Sequence, residues 1–312
     1  MDNLTHSLVG ALLGRMGLKR LTPYAMPALI LSANLPDIDS FVGPLVGIEP
    51  IAAHRGFTHG IGGLVTMPFF AAIIVLLLER LRPSKEGRVR PPGLLLACFL
   101  GTLSHLILDF LTSYGTRLLE PFSHRWFYGD TLFIVDPWIW IALILGLEMS
   151  WRAERLGRNW TRPAWWAFAA MLGYVALNAA ISARAVAVTR PLVERVATPR
   201  MIEAGEVPLI FWKRKMIWRG DGVGGTGTYD PLDGLNSAWL SPKITALNLD
   251  DPRLAAAVQR DPQVRAFLFW SRMPMVHIEG GHAYLTDQRF FESGRASSAG
   301  FLIRLDKPSP NP

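Results

Sequence analysis

One cysteine, Cys98, in 312 residues leaves no partner for a disulfide within the chain. It lies in the apolar run LLLACFLG, where packing as a small hydrophobe accounts for it. Charged side chains are also scarce, at 18% of the sequence against 50% hydrophobic residues, a balance poorer in charge than an ordinary soluble domain carries. No basic residue precedes the first apolar stretch. MDNLTHSLVG opens with an acid and a histidine, and Arg15 follows the stretch, so the segment is expected to be retained and not cleaved as a secretory leader. The glycine-rich run GVGGTG lacks the lysine and the strand-to-helix setting of a nucleotide loop.

What is abundant is apolar sequence in long runs: Ile61 to Leu78, Gly93 to Leu111, Leu132 to Leu147 and Ala164 to Ser182. Runs near 18 residues or longer read as membrane spans, and 11 Trp add an interfacial signature. The net charge of +7 falls largely in short loops and the C-terminal third. A positive-inside membrane protein explains the loop clusters, and no nucleic-acid partner is expected. Arg80, Arg82, Lys85, Arg88 and Arg90 crowd the first connection and Arg152, Arg155, Arg158 and Arg162 the third, which assigns both to the cytoplasm. The second connection and everything after the fourth run then lie outside. The apolar stretches Leu4 to Met16 and Tyr24 to Leu35 are short, but Arg15, Lys19 and Arg20 form a basic turn between them. The expectation is six helices in three hairpins, with a re-entrant first hairpin as the rival arrangement.

That topology gathers His6, Asp37, Asp39, His54, His59, His105, Asp109, Asp130 and Asp136 at the outer face. Ionisable groups at such positions are expensive unless paired, metal-bound or wet, so they point to function. SHLILDF puts His105 and Asp109 on one helical face, where they could share a metal ion or simply bond to each other. LPDIDS aims Asp37 and Asp39 from a turn, with a plain Asp-rich cap as the alternative. HRGFTHG could bring His54 and His59 together from a bend, with Arg55 beside them able to bind an anion. TSYGTRLLEPFSHRWFYGD supplies Tyr114 and Arg117 to orient an anionic substrate, or else an aromatic interface belt that includes His124. Asp136 before Pro137 is explained as a helix cap, and Asp130 with Asp136 forms a secondary tier of site candidates.

These motifs in this order, NLTHSLVG, LPDID, HRGFTHG, SHLILDFLTSYGT and DPW, closely resemble the family of inner-membrane metal-dependent hydrolases related to the LexA-regulated YdjM protein. The resemblance covers about the first 140 to 180 residues. That family looks distantly similar to zinc-dependent phospholipase C and P1-type nucleases, although no HxxxE motif follows in the membrane half. The resemblance implies His59, His105 and Asp109 as metal ligands, followed by His6, Asp37 and His54, and it implies phosphoester hydrolysis. Zinc suits such nitrogen and oxygen donors, with manganese or iron next. Asp37 or Asp39 would orient water or take its proton, while Arg55 and Arg117 would hold non-reacting oxygens. A bilayer lipid or lipid-linked phosphoester is the expected substrate, at the extracytoplasmic face of a bacterial inner membrane.

After about Arg184 short apolar stretches are broken by Gly, Pro and Asp, so the fold expected is an α-helical membrane bundle followed by a small, mainly β extracytoplasmic domain. The bundle is assigned to residues 1–184, the β domain to 185–305 and a disordered tail to 306–312. GTGTYD and IEGGH read as hairpin loops, and a helix is expected from Asp251 to Gln259, reaching on towards Trp270. His277 and His282 read as incidental to their hairpin. Two other classes compete with a hydrolase: an ion-binding transporter, and a membrane anchor for a binding domain.

Overall fold

A computed structural model describes residues 1–45, 47, 49–292, 295–296 and 301–306. The expected tail, residues 306–312, lies outside the described residues apart from its first, Asp306, which sits in a turn. The chain divides into two compact units. The first comprises Met1–Leu45, His54–Ala180 and Pro208–Phe211, and the second Val46–Ala53, Ile181–Val207 and Trp212–Pro312.

The first unit is helical. Its elements are α1 (Asn3–Arg15), α2 (Ala25–Ser32), α3 (Asp39–Leu45), then, past α4 (Pro50–Ala53) of the second unit, α5 (Ile61–Leu81), α6 (Pro91–Phe110), α7 (Pro137–Arg155) and the first part of α8 (Thr161–Val193). Asp2 caps α1 by accepting from Thr5 N–H at 3.0 Å, and Asp136 caps α7 by accepting from the N–H groups of Trp138 and Ile139. Helices α5, α6 and α8 are long and apolar enough to cross a membrane. α5 turns Val65, Phe69, Ile73 and Leu77 outward, each more than half exposed, an apolar surface that water would not favour. The run expected from Leu132 becomes helical only at Pro137, because Asp136 caps there, and α7 then extends over Glu148, Arg152, Glu154 and Arg155.

Two cores hold this unit together. Val9, Leu12, Leu108, Ile139, Leu143, Ala164 and Met171 join α1, α6, α7 and α8. Ala25, Ala28, Leu29, Ala71, Val75, Leu94, Ala97 and Cys98 join α2, α5 and α6, so the lone cysteine packs as expected. Small residues set how closely these helices approach. A Cβ on Gly101 would lie 2.7 Å from the Leu29 carbonyl oxygen, and one on Gly10 would lie 2.9 Å from the same atom. The short helix α2 is therefore gripped between α1 and α6.

The second unit holds the C-terminal end of α8 and a four-stranded antiparallel meander, β1 (Met201–Glu206), β2 (Arg214–Gly220), β3 (Val223–Tyr229) and β4 (Ala238–Ala246). Ala204, Met216 and Tyr229 pack with Ala185 and Ile181 of α8. α9 (Pro252–Arg260) and α10 (Pro262–Trp270) follow, then β5 (Pro274–Glu279), β6 (His282–Asp287), β7 (Phe291–Glu292), β8 (Arg295–Ala296) and β9 (Leu302–Arg304). The sheet β5–β6–β9 is antiparallel, and β7 pairs with β8. The IEGGH hairpin forms as read, with Gly280 and Gly281 at φ 57° and 83°, the twist that a two-residue turn needs. GTGTYD is not a hairpin loop but part of β3; the turn falls earlier, at Asp221 and Gly222, where φ is positive at both positions. The expected single helix is broken in two because Asp261 is extended and caps α10, and Pro262 has no N–H to continue α9.

Candidate metal centre

Five elements deliver the polar cluster. α6 carries His105 and Asp109 one turn apart on its inner face, both fully buried. The 3-10 turn Leu35–Ile38 presents Asp37, and Asp39 opens α3. The turn Phe57–His59 ends at His59, immediately before α5. α1 adds His6, also fully buried.

One ligand atom each from Asp37, His59, His105 and Asp109 can be chosen so that all four lie within 4.8 Å of one another. Asp37 Oδ1 is 3.4 Å from His59 Nε2 and 3.6 Å from His105 Nε2. Asp109 Oδ2 is 3.3 Å from His59 Nε2 and 3.8 Å from His105 Nε2. Atoms held 2.0–2.1 Å from a tetrahedral cation lie about 3.3 Å apart, so these separations suit a metal.

The tautomers sharpen the point. His105 Nδ1 lies 2.8 Å from the Ala33 carbonyl oxygen, one of the acceptors that the end of α2 leaves unused. A carbonyl only accepts, so Nδ1 carries the proton and a neutral ring presents a bare Nε2. His59 Nδ1 lies 3.1 Å from Asp39 Oδ2 and 2.9 Å from Thr58 Oγ1, and the Thr58 hydroxyl gives its one hydrogen to Asp39, so Nδ1 faces acceptors, carries the proton, and leaves Nε2 bare as well. Those two Nε2 atoms face each other at 3.0 Å. Two lone pairs at that distance repel. A shared proton would relieve one pair of donors, whereas a cation satisfies both imidazoles and the two carboxylates together. Unmet hydrogen bonds also gather here: Asp109 Oδ2 and both His6 nitrogens are buried without one.

Asp39 stands behind the cluster. Its Oδ2 accepts from His59, from Arg55 N–H at 3.0 Å and from the Thr58 hydroxyl at 2.7 Å, and its Oδ1 lies 2.9 Å from His54 Nδ1. Burial would raise this carboxyl, but the His54 and His59 hydrogen bonds outweigh it and hold it below the usual carboxylate range. At Asp37 burial pulls upward too, but contact with His59 and the nearby rings of His105 and His54 outweigh it and hold the carboxyl at about 2. Asp39, His54 and His59 form a second group with metal-ligand spacing, sharing His59 with the first. A neutral imidazole coordinates through one nitrogen and donates through the other, so Asp39 fits the carboxylate that orients a ligating histidine. Replacing Asp39 with Asn is expected to weaken metal binding roughly 10- to 100-fold, measured by competition with a chromophoric chelator.

Arg55, at φ 59°, is buried with its Nε 3.1 Å from Asp109 Oδ2. Its Nη1 donates to Thr112 Oγ1 at 2.8 Å and to the Gly115 carbonyl at 3.3 Å. Burial lowers the guanidinium to about 10 against the opposing pull of Tyr114, Asp37 and Asp39, so it remains charged at neutral pH. The guanidinium is thus engaged by Asp109 and the end of α6. Tyr114 lies under it, 4.8 Å from ring centre to Cζ, and meets His54 edge-on. Arg117 pairs with Glu120 at 2.9 Å and covers Trp126.

His6 stacks on His105 with ring centres 3.9 Å apart, and its Nε2 is 3.3 Å from Asp109 Oδ1, which the Met1 amino group also contacts. His6 borders the four-donor group without belonging to it. Asp136 caps α7, accepts from Tyr174 at 2.9 Å and belongs to neither ligand group, and Asp130 also lies outside both. His124 bonds Glu120 at 2.7 Å, and His277 and His282 sit in the second unit beside Glu279 and Asp306. Sequence reasoning missed the Ala33 carbonyl and the Thr58 hydroxyl, which meet His105 and Asp39 across 72 and 19 positions of chain where no local pattern exists, and Glu120, which pairs with its near neighbours Arg117 and His124.

Comparison with known proteins gives the same N-terminal region a lineage. The "Uncharacterized protein YfhP" of Bacillus subtilis (strain 168) is 29% identical over 159 residues, 48% of this chain and 46% of that protein. The "Inner membrane protein YdjM" of Escherichia coli (strain K12) and that of Shigella flexneri are each 37% identical over 110 residues, 33% of this chain and 52% of theirs. The chain therefore spans about half the length of the curated relatives it matches. No solved structure matches it. The family described as YdjM inner membrane protein matches residues 1–185, which include every donor of the buried His and Asp cluster, and the chain belongs to that family.

Proposed function

We propose that this protein is a membrane-bound, metal-dependent hydrolase acting on a phosphoester, borne by a lipid or lipid-linked molecule at the extracytoplasmic face of a bacterial inner membrane. The observation that carries the reading is the pair of bare Nε2 atoms 3.0 Å apart between two carboxylates. His59, His105, Asp37 and Asp109 would hold the ion, and zinc is the first choice for two imidazoles and two carboxylates, before manganese or iron. A divalent ion there supplies Lewis acidity towards a phosphoryl oxygen and lowers the pKa of water to about 7.

The chain's own residues divide the remaining work. Asp37, with 16% of its side chain exposed against 1% for Asp109, is the carboxylate on the accessible side and orients the attacking water. Asp39 and Arg55 position His59 and Asp109 in place of touching substrate. Arg117 and Tyr114 form the wall that meets the substrate's non-reacting oxygens. In this reading α7 crosses the membrane beside α5, α6 and α8, and the β unit lies outside.

The test is turnover of bis-p-nitrophenyl phosphate and of a long-chain lipid phosphate by detergent-purified protein. Hydrolysis is expected with zinc or manganese, abolished by EDTA and restored by metal, with Asp37→Asn lowering kcat by about 10²-fold or more. Metal-loaded protein that turns over neither class would end the hydrolase reading.

A further inference from the structure

A second charged cluster lies at the opposite end of the helical unit. α1 holds His6 in its first turn and Arg15 in its last, about 14 Å further along the axis at 1.5 Å per residue. α6 likewise runs from Arg90 at its N-cap to His105 and Asp109 near its end, and α7 from Asp136 to Ser150 and Glu154.

At that far end three cations surround one indole. Lys19 Nζ lies 4.2 Å, Arg20 Cζ 4.8 Å and Arg15 Cζ 5.0 Å from the centre of the Trp160 ring, which is itself buried. Arg90 joins them by donating to the Arg20 carbonyl at 3.0 Å. Among the described ion pairs these four cations meet one carboxylate, Glu154, bonded to Arg15 and Lys19. Arg15 is more than nine-tenths buried; its Nε donates to Ser150 Oγ at 2.8 Å, yet its Nη2 is buried with no hydrogen-bond partner. An aromatic face attracts cations without neutralising them. The cluster thus keeps excess positive charge and an unused buried N–H donor, which together call for an oxyanion.

We propose that Arg15, Lys19 and Arg20, arranged around Trp160, bind a phosphate group carried by an anionic phospholipid. The lipid is the source because the cluster adjoins the first residues of α6 and α8, two helices long enough to span a bilayer, and because basic pockets with tryptophan at that depth meet head groups. This site is separate from the metal cluster and does not depend on hydrolysis.

The experiment is native mass spectrometry of the full chain in neutral detergent, titrated with phosphatidylglycerol and with phosphatidylcholine of the same acyl chains. Wild-type protein is expected to retain phosphatidylglycerol preferentially, and EDTA-treated protein to keep that preference. Lys19→Gln and Arg20→Gln should each lower it about 5-fold, and the double variant should lower it further. The single variants keep the test decisive if the double variant folds poorly. Equal retention of both lipids, or a preference unchanged in the single variants, would overturn the proposal. Displacement of phosphatidylglycerol by inorganic phosphate alone would assign the cluster to the free anion and overturn the lipid source.

Discussion

Detergent-purified wild-type protein is expected to carry a bound transition metal that the double variant His105→Ala, Asp109→Ala does not. The two residues supply an imidazole Nε2 and a carboxylate oxygen to the four-donor group, so their removal leaves only Asp37 and His59. Loss of half the donors should exceed the roughly 10- to 100-fold effect of disturbing an outer-shell partner. Metal content by mass spectrometry, before and after reconstitution with zinc or manganese, reads the outcome. Equal metal in both proteins would place the ion elsewhere. No uptake by either would leave His59 and His105 as a proton-sharing pair and remove the ground for hydrolysis.

The second large effect is expected at Arg55. Its Nε is 3.1 Å from Asp109 Oδ2 and its Nη1 ties Thr112 and Gly115, so Arg55→Met removes the guanidinium that pairs with the Oδ2 side of a buried carboxylate. Breaking one side of a buried pair costs about 3–5 kcal/mol. Chemical denaturation in detergent, with metal removed from both proteins, should show that loss. Arg55→Lys should recover little of it, since one ammonium cannot reach the carboxylate, a hydroxyl and a carbonyl in the planar fork that arginine uses. Unaltered stability in Arg55→Met would mean that the guanidinium serves substrate rather than Asp109.

Arg55 also marks a limit of reading sequence. As a basic residue beside two histidines it suggested an anion site, and nothing local reveals that α6 brings Asp109 against it. Asp39 is similar: LPDIDS presents two equivalent carboxylates, and only the fold turns Asp37 towards the imidazole Nε2 atoms and Asp39 behind His59 and His54. By contrast Asp136 was legible, because an N-cap is a contact between near neighbours. In the second unit Gly280–Gly281 was legible for the same reason, while GTGTYD was misread because glycines within β3 look like turn glycines until the strand's partners are known. Gly225 shows why they are there: a Cβ on it would lie 2.7 Å from the Trp218 ring.

The sequence by itself determined the elements whose cause is local. Helical spacing put His105 and Asp109 on one face of α6, apolar runs marked three helices long and apolar enough to cross a membrane, and the glycine pair shaped the β5–β6 turn. Tertiary structure alone decided which polar atoms meet. Gly10 and Gly101 let α1 and α6 close on α2, and that approach carries the Ala33 carbonyl to His105 Nδ1 and leaves its Nε2 facing His59. Residues 33, 59 and 105 are joined by no periodicity, and their meeting follows from how closely small side chains allow helices to pack.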